Sequence, residues 1–123
     1  MIRFGHCVRR RPDVAPATFK KYSLENHGPQ ARSFAQAWRT RKCVQSYKLD
    51  TELKDYAPMP RANRTTYDGI TEVRWDRAED VIAAGSTPAG QSANRTLAEA
   101  GGRFCNRPNC SVFFTEEPTV FDL

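Results

Sequence analysis

The sequence predicts a single α+β domain in which an antiparallel sheet carries helices on one face. The chain has 123 residues, the length of one domain, and 39% of them are hydrophobic and 11% aromatic, which is enough for one modest core. In four segments, apolar and polar residues alternate as they do in strands. A pair of helical stretches separates the first strand from the second, and another pair separates the third from the fourth. The predicted element order is therefore β-αα-β-β-αα-β.

The first predicted strand covers residues 2–9. Ile2, Phe4, His6 and Val8 fall on one of its faces, and mostly polar residues fall on the other. This alternation is typical of a half-buried strand.

Two helices are predicted next, on either side of a His-Gly-Pro turn. Pro16 suits the first turn of a helix that runs to about Asn26. Gly28 and Pro29 are expected to end that helix, because glycine tolerates the C-cap conformation and proline has no amide hydrogen. Pro29 can also open the second helix, over residues 30–40, where apolar side chains recur at helical spacing.

A second strand is predicted over residues 42–50, with Gln45 and Tyr47 on the same face. A polar loop over residues 51–66 follows it. A loop of that length in a small domain is usually functional or mobile, so we expect a lid or a dimer arm.

The second half of the chain repeats the pattern of the first. Residues 67–75 alternate as a third strand, and Asp76 is expected to cap a helix through Ala84. The remaining predicted elements are a helix from Thr87-Pro88 to about Ala100, a strand at 111–116 and a C-terminal tail at 119–123.

This order of elements is the ferredoxin-like arrangement. The sheet face away from the helices is also partly apolar, and in a monomer it would meet water. A second subunit laid over that face would cover it, so the sequence predicts a homodimer.

Composition and charge exclude several classes of function. No apolar stretch is long enough to span a membrane, and no signal peptide is recognisable, so a cytoplasmic protein is expected. The net charge is +5, concentrated in the first third of the chain, but no recognition helix or aromatic-basic interleaving predicts nucleic-acid binding. The four cysteines lack zinc-site spacing, so they are expected to be free thiols without a metal. Phosphate-binding loops, dinucleotide fingerprints and nucleophile elbows are absent from the sequence.

A set of motifs distributed along the chain resembles the EthD-domain family of the dimeric α+β barrel superfamily. The set comprises Met1-Ile2-Arg3, Arg9-Arg10-Arg11-Pro12, Phe19-x-x-Tyr22-x-x-x-x-His27-Gly28-Pro29, Val44-Gln45-Ser46-Tyr47, Tyr67-Asp68-Gly69-Ile70-Thr71-Glu72-Val73, Ser86-Thr87-Pro88-Ala89-Gly90 and Val112-Phe113-Phe114-Thr115-Glu116-Glu117. The resemblance covers residues 1–118. It implies two ferredoxin-like subunits packed sheet to sheet, each with a pocket between its sheet and its helices.

The resemblance also implies a range of activities. EthD-like proteins belong to pathways that degrade ethers and aromatics, and relatives act as cyclases, dehydratases or decarboxylases. The expected function is that of a cofactor-free isomerase or lyase. Its expected substrate is a small hydrophobic or anionic molecule that is aromatic-derived, a lactone or polyketide-like. The alternatives are a non-catalytic accessory protein of an oxygenase system and a barrel enzyme that uses heme or oxygen.

His27 is the candidate catalytic residue. A neutral imidazole accepts and returns a proton near pH 7, which is the chemistry that such isomerases need. At a helix C-terminus the charged imidazolium would be favoured, so the basicity of His27 is expected to be raised. The alternative is a histidine that only caps the turn.

The candidate substrate-binding residues are expected to line the pocket or its rim, where Arg9 could hold a carboxylate group of the substrate. Ser23 lies one helical turn before His27 and departs from the large aromatic residue that the family usually has there. Each of these side chains could instead serve the core, a strand end or an interface, and Glu72 could pair with Arg74. The candidates are His6, Arg9, Tyr22, Ser23, Gln45, Tyr47, Asp68 and Glu72.

Overall fold

A four-stranded antiparallel sheet forms the frame of the protein. The computed structural model describes residues 1–49, 51 and 66–123, so most of the predicted 51–66 loop lies outside the described residues. The strands are β1 (Ile2–Val8), β2 (Lys42–Tyr47), β3 (Gly69–Trp75) and β4 (Ser111–Glu116). Each lies within a predicted strand, and the bounds of β4 are those predicted.

The strands lie in the order β2-β3-β1-β4, and every neighbouring pair is antiparallel. This order confirms the ferredoxin-like fold. On the central strand β1, His6 is paired with Thr71 on one side and Val112 on the other. Because directly opposed residues share a face, these three side chains lie together on the same side of the sheet.

Five α-helices accompany the sheet among the described residues, besides a π-helical turn (Ser23–His27) and a 3-10 turn (Arg107–Asn109). The α-helices are α1 (Pro16–Tyr22), α2 (Gly28–Ser33), α3 (Ala35–Trp38), α4 (Ala78–Gly85) and α5 (Pro88–Gly101). None of them is long and apolar enough to cross a membrane. The start of α5 is as predicted, since the Thr87 hydroxyl accepts a hydrogen bond from the Gly90 amide at 3.0 Å.

The predicted cap of α4 is wrong. Arg77, not Asp76, occupies the N-cap position, and no side chain caps the helix there. The carboxylate of Asp76 instead accepts a hydrogen bond from Nε of Arg41 at 2.7 Å. Asp76 therefore pairs with the guanidinium of Arg41 instead of accepting a hydrogen bond from the first amides of α4.

The predicted helix end at Gly28-Pro29 is also wrong. A π-helical turn over Ser23–His27 joins α1 to α2, and Gly28 has helical angles of φ −60° and ψ −53°. The Gly28 amide bonds the carbonyl of Ser23, five residues back. This wider turn precedes Pro29, whose ring and missing amide would break a regular α-helix, so the chain passes the proline without ending.

The hydrophobic core lies between the sheet and the helices. One cluster of its buried residues comprises Val8 from β1, Phe19 from α1, and Phe104 and Cys105 from the segment that leads into β4. Phe104 and Phe19 pack with ring centroids 5.7 Å apart. This cluster lies at the C-terminal end of β1, and its four residues also line the space described next.

Candidate active site

A cavity of about 430 Å³ opens between the helix-facing side of the sheet and the helices. This volume is in the range of small-molecule binding sites. The walls are mainly apolar, with Phe4 and Val8 from β1, Phe19 from α1 and Leu97 from α5 among them. The two histidines of the chain are among the polar groups of the lining.

His27 enters the cavity from the last position of the π-helical turn. Its ring packs edge-on against Phe104, with centroids 5.7 Å apart and an interplanar angle of 81°. The Nδ1 atom is buried and has no hydrogen-bond partner among the described residues. Within the described residues, the ring is thus held by packing and by its place in the π-helical turn, with no hydrogen bond at Nδ1.

His6 enters the same cavity from β1. Burial lowers its pKa, and the positive charge that His27 can carry lowers it further. Burial also lowers the pKa of His27. Both imidazoles are therefore neutral at pH 7, and the expected increase in the basicity of His27 is wrong, because no helix ends at that residue and desolvation opposes the charged form.

Ser23, Gln45 and Tyr47 form a hydrogen-bonded group beside the cavity. The Ser23 hydroxyl, in a residue only 6% exposed, accepts from the Tyr47 hydroxyl at 2.8 Å and from Nε2 of Gln45 at 3.1 Å. The turn approaches Gln45 closely, since a Cβ atom on Gly28 would lie 3.1 Å from Oε1 of Gln45. Because Ser23 and Gly28 are small, the π-helical turn packs closely against β2. This contact fixes the position of the turn that carries His27. These three polar side chains do not line the cavity.

Replacing Ser23 by alanine is expected to lower the free energy of unfolding by about 1–3 kcal/mol, because the two hydrogen bonds that the half-buried Gln45 and Tyr47 donate to the buried Ser23 hydroxyl are lost. Urea unfolding of Ser23→Ala measures this loss. The matched control is Ser33→Ala, at an exposed helical serine whose hydroxyl donates to its own helix, with an expected change below about 0.5 kcal/mol. Equal effects of the two substitutions would contradict the prediction.

Tyr22 and Asp68 lie outside the cavity. The Tyr22 ring packs on Phe104 at 4.5 Å between centroids and lines a separate shallow cleft next to Glu25. The Asp68 carboxylate accepts a hydrogen bond from the Arg10 amide at 2.9 Å and lies 3.6 Å from Nζ of Lys48. Its contacts hold the end of β1 beside the start of β3.

Glu72 and Arg9 are also placed elsewhere. Glu72 lies on the sheet face opposite the helices and pairs with Arg3 at 3.1 Å and with Arg74 at 3.5 Å. The Arg9 guanidinium stacks 4.5 Å above the ring of Tyr67. Among the substrate-binding candidates, the structure thus brings only His6 to the cavity with His27.

Phe104 and Arg107 are among the cavity residues that the sequence did not predict as part of the site. Phe104 contacts Phe19, Tyr22 and His27, and Arg107 lies at the cavity wall. Both follow the Gly101-Gly102 pair, where the chain was expected only to break. A lone aromatic residue in a polar stretch was the available signal for Phe104.

Within the described part of the chain, no group of three or more His, Cys, Asp or Glu side chains could hold a metal ion. All four cysteines are free thiols. The metal-ligating side chains in the cavity lining are two imidazoles, those of His6 and His27, and three thiols, those of Cys43, Cys105 and Cys110.

Comparison with known families identifies the chain. A model of the EthD domain matches residues 11–107. This chain belongs to the EthD family. Among curated proteins, no match to this EthD-family chain is found.

Solved structures support the same fold. An ethyl tert-butyl ether D (EthD) family protein of Bacillus halodurans C-125 is similar, with a TM-score of 0.61 and 14% identity over 96% of this chain and 99% of its own. A dimeric protein of unknown function and ferredoxin-like fold from Bacteroides fragilis NCTC 9343 gives 0.56 and 14%, over 94% and 95%. A protein of Arabidopsis thaliana gives 0.60 and 12% over both complete chains. At these identities the likeness shows the fold alone.

Proposed function

We propose that this EthD-family chain is a cofactor-independent enzyme of the isomerase or lyase type, in which His27 moves a proton on a small apolar substrate. The observation that carries the proposal is the placement of two neutral imidazoles in one apolar cavity of about 430 Å³. Such a cavity suits aromatic-derived, lactone or polyketide-like molecules.

The chemistry follows from the state of the two rings. A neutral imidazole has one nitrogen free to accept a proton, and its conjugate acid can return that proton to another atom of the same substrate. Isomerisation, cyclisation, dehydration and decarboxylation can all proceed by such transfers without an external oxidant. The apolar walls exclude water, which strengthens the interaction between His27 and the charge that develops on the substrate.

His6 is proposed as the second polar group of the site. Protonation of His27 disfavours a charge on His6, so His6 stays neutral while His27 holds the proton. A neutral His6 can donate a hydrogen bond to a substrate oxygen. The two histidines thereby take different roles although both belong to the same cavity.

We also propose that the chain forms a homodimer through the sheet face opposite the helices. Ile70 and Phe113 are 40% and 53% exposed, and they lie on that face. The similar structure from Bacteroides fragilis is described as dimeric. Covering this face with a second copy leaves the cavity open, because the cavity lies on the helix side.

Proton exchange in D₂O tests the proposed activity. The purified protein is incubated with a panel of small unsaturated lactones, β-keto acids and aromatic ring-cleavage acids, and deuterium incorporation and product formation are followed by NMR. We expect at least one compound to exchange or react faster than in a solution of free imidazole at the same pH. Binding without exchange would favour an accessory protein, and a Soret band in the purified protein would favour a heme-using enzyme.

A further inference from the structure

A second concave surface, which we call the arginine cleft, lies against the end of α5 and the segment that follows it. Its volume is about 840 Å³. Four guanidinium groups and one carboxylate contribute its charged lining. They belong to Arg11, Arg95, Glu99, Arg103 and Arg107. The excess of positive charge indicates an anionic ligand.

Three of these arginines are available to such a ligand. Arg11 is engaged in a two-pronged pair with Asp13, with N–O distances of 3.0 and 2.9 Å. Arg95, Arg103 and Arg107 are exposed and form no ion pair with any residue in the described ranges 1–49, 51 and 66–123. A free guanidinium presents a planar fork of donors that matches a carboxylate or a phosphate.

The arginine cleft shares a wall with the cavity that is lined by His6 and His27, which we call the histidine cavity. Ala98, Cys105 and Arg107 line both spaces. The charge of Arg107 is felt at that wall, where it opposes the effect of burial, which raises the pKa of the Cys105 thiol to about 12. One molecule can therefore touch Arg107 with one end and the apolar cavity with the other.

Gly102 fixes the place of the Arg107 side chain. A Cβ atom on Gly102 would lie 2.9 Å from one terminal nitrogen of the guanidinium and 3.1 Å from its central carbon. Gly102 has ordinary helical angles, φ −63° and ψ −15°, so its backbone does not require glycine. The absence of a side chain at Gly102 lets Arg107 lie flat against the chain at the shared wall.

We propose that Arg107, with Arg95 and Arg103, binds the carboxylate or phosphate end of a substrate whose apolar body occupies the histidine cavity. This inference rests on the proposed function, because it takes the histidine cavity as the place of the apolar body. It narrows the substrate class to amphipathic anions. It also replaces the strand-end residue Arg9 as the anion-binding group.

Binding of matched acids and alcohols tests the arginine subsite without requiring turnover. The probes are 3-phenylpropionate, 4-phenylbutyrate and 6-phenylhexanoate, their corresponding alcohols, and 4-phenylbutyl phosphate, with Kd measured by ligand-observed NMR or calorimetry. At least one anion is expected to bind more tightly than its alcohol. In Arg107→Ala the Kd of that anion should rise roughly 5- to 10-fold, while the Kd of the alcohol changes less than about 2-fold.

Two further variants sharpen the result. Gly102→Ala keeps the charge of Arg107 but displaces its guanidinium, so it should weaken the anion and spare the alcohol. Arg32→Ala removes an exposed arginine of α2 that lines neither space, and it should change nothing. The preference between 4-phenylbutyrate and 4-phenylbutyl phosphate tells which anion the subsite takes.

Equal affinity for acids and alcohols throughout the series, including no binding of either, would overturn the subsite. So would an equal loss for both ligands in Arg107→Ala. These outcomes are independent of proton exchange at His27. Anion binding that depends on Arg107 without any exchange would remove the proposed activity and keep the subsite, and exchange without Arg107 dependence would do the reverse.

Discussion

Replacing His27 by glutamine is expected to lower kcat/KM of the proton-transfer reaction by about 10²- to 10⁴-fold, the usual contribution of a positioned acid-base group. Glutamine fills much of the same space and keeps a polar end, but it does not accept a proton near neutral pH. Since the His27 ring forms no hydrogen bond from Nδ1 to a described residue, the substitution breaks no such contact. Circular dichroism is expected to show an unchanged fold.

His6→Gln is the matched control, because it makes the same chemical change in the same cavity. If His27 moves the proton and His6 only donates a hydrogen bond, His6→Gln retains more activity than His27→Gln, since the glutamine amide can still donate. Undiminished turnover in His27→Gln would remove His27 from the mechanism. Loss of the fold in His27→Gln but not in His6→Gln would indicate a structural role for the turn.

The pH profile of the proposed activity in the wild-type protein carries independent information about His27. Burial lowers the pKa of His27 below its ordinary value of 6.5. The free base, which accepts the proton, is therefore the main form throughout the neutral range. kcat/KM is expected to stay level through neutral pH and to fall only once the pH drops below 6.5.

The strand pattern was readable from the sequence because it depends on local alternation. Val73 and Trp75 stand at alternate positions of β3 and are both buried, and Val8 is buried on the face of β1 that alternation made apolar. The register between strands followed from the fold rather than from any single segment. Helix α5 was equally readable, because Thr87 and Pro88 carry their own start signal.

The π-helical turn was not readable, because the residues that favour it are distant in sequence. Gly28 and Pro29 are ordinary helix-ending residues, and only the contact of Ser23 and Gly28 with Gln45 on β2 shows why the chain continues through them. The direction of the pKa shift of His27 depends on this geometry. A helix C-terminus would have raised the pKa, whereas burial in the π-helical turn lowers it.

For the candidate site, the sequence predicted which residues share a side of the sheet but not which of them reach the cavity. Alternation predicted that Gln45 and Tyr47 share one face of the sheet, and in the structure that face is the helix side, where both side chains reach Ser23. Alternation alone could not predict that the polar groups of both side chains would donate hydrogen bonds to Ser23 and so stay out of the cavity. His6, on the central strand, reaches the cavity because no such partner lies above it in the described structure.

Replacing Phe104 by alanine is expected to lower the free energy of unfolding by about 3–5 kcal/mol, the usual cost of removing a buried aromatic side chain. Phe104 is 6% exposed and contacts Phe19, Tyr22 and His27. Chemical denaturation of Phe104→Ala measures the loss. Phe121→Ala makes the same change at a residue that is 75% exposed, and there the expected loss is below about 0.5 kcal/mol.

Phe104 also bears on the proposed activity, because its ring packs edge-on against His27, whose Nδ1 atom has no hydrogen-bond partner among the described residues. Phe104→Leu keeps most of the buried volume and removes the aromatic contact, so it should cost less stability than Phe104→Ala but still lower kcat. If Phe104→Leu retained full kcat, packing against Phe104 would not position His27. The ring would then be placed by the π-helical turn alone, and the contact of Ser23 with β2 would become the feature on which the geometry of the site depends.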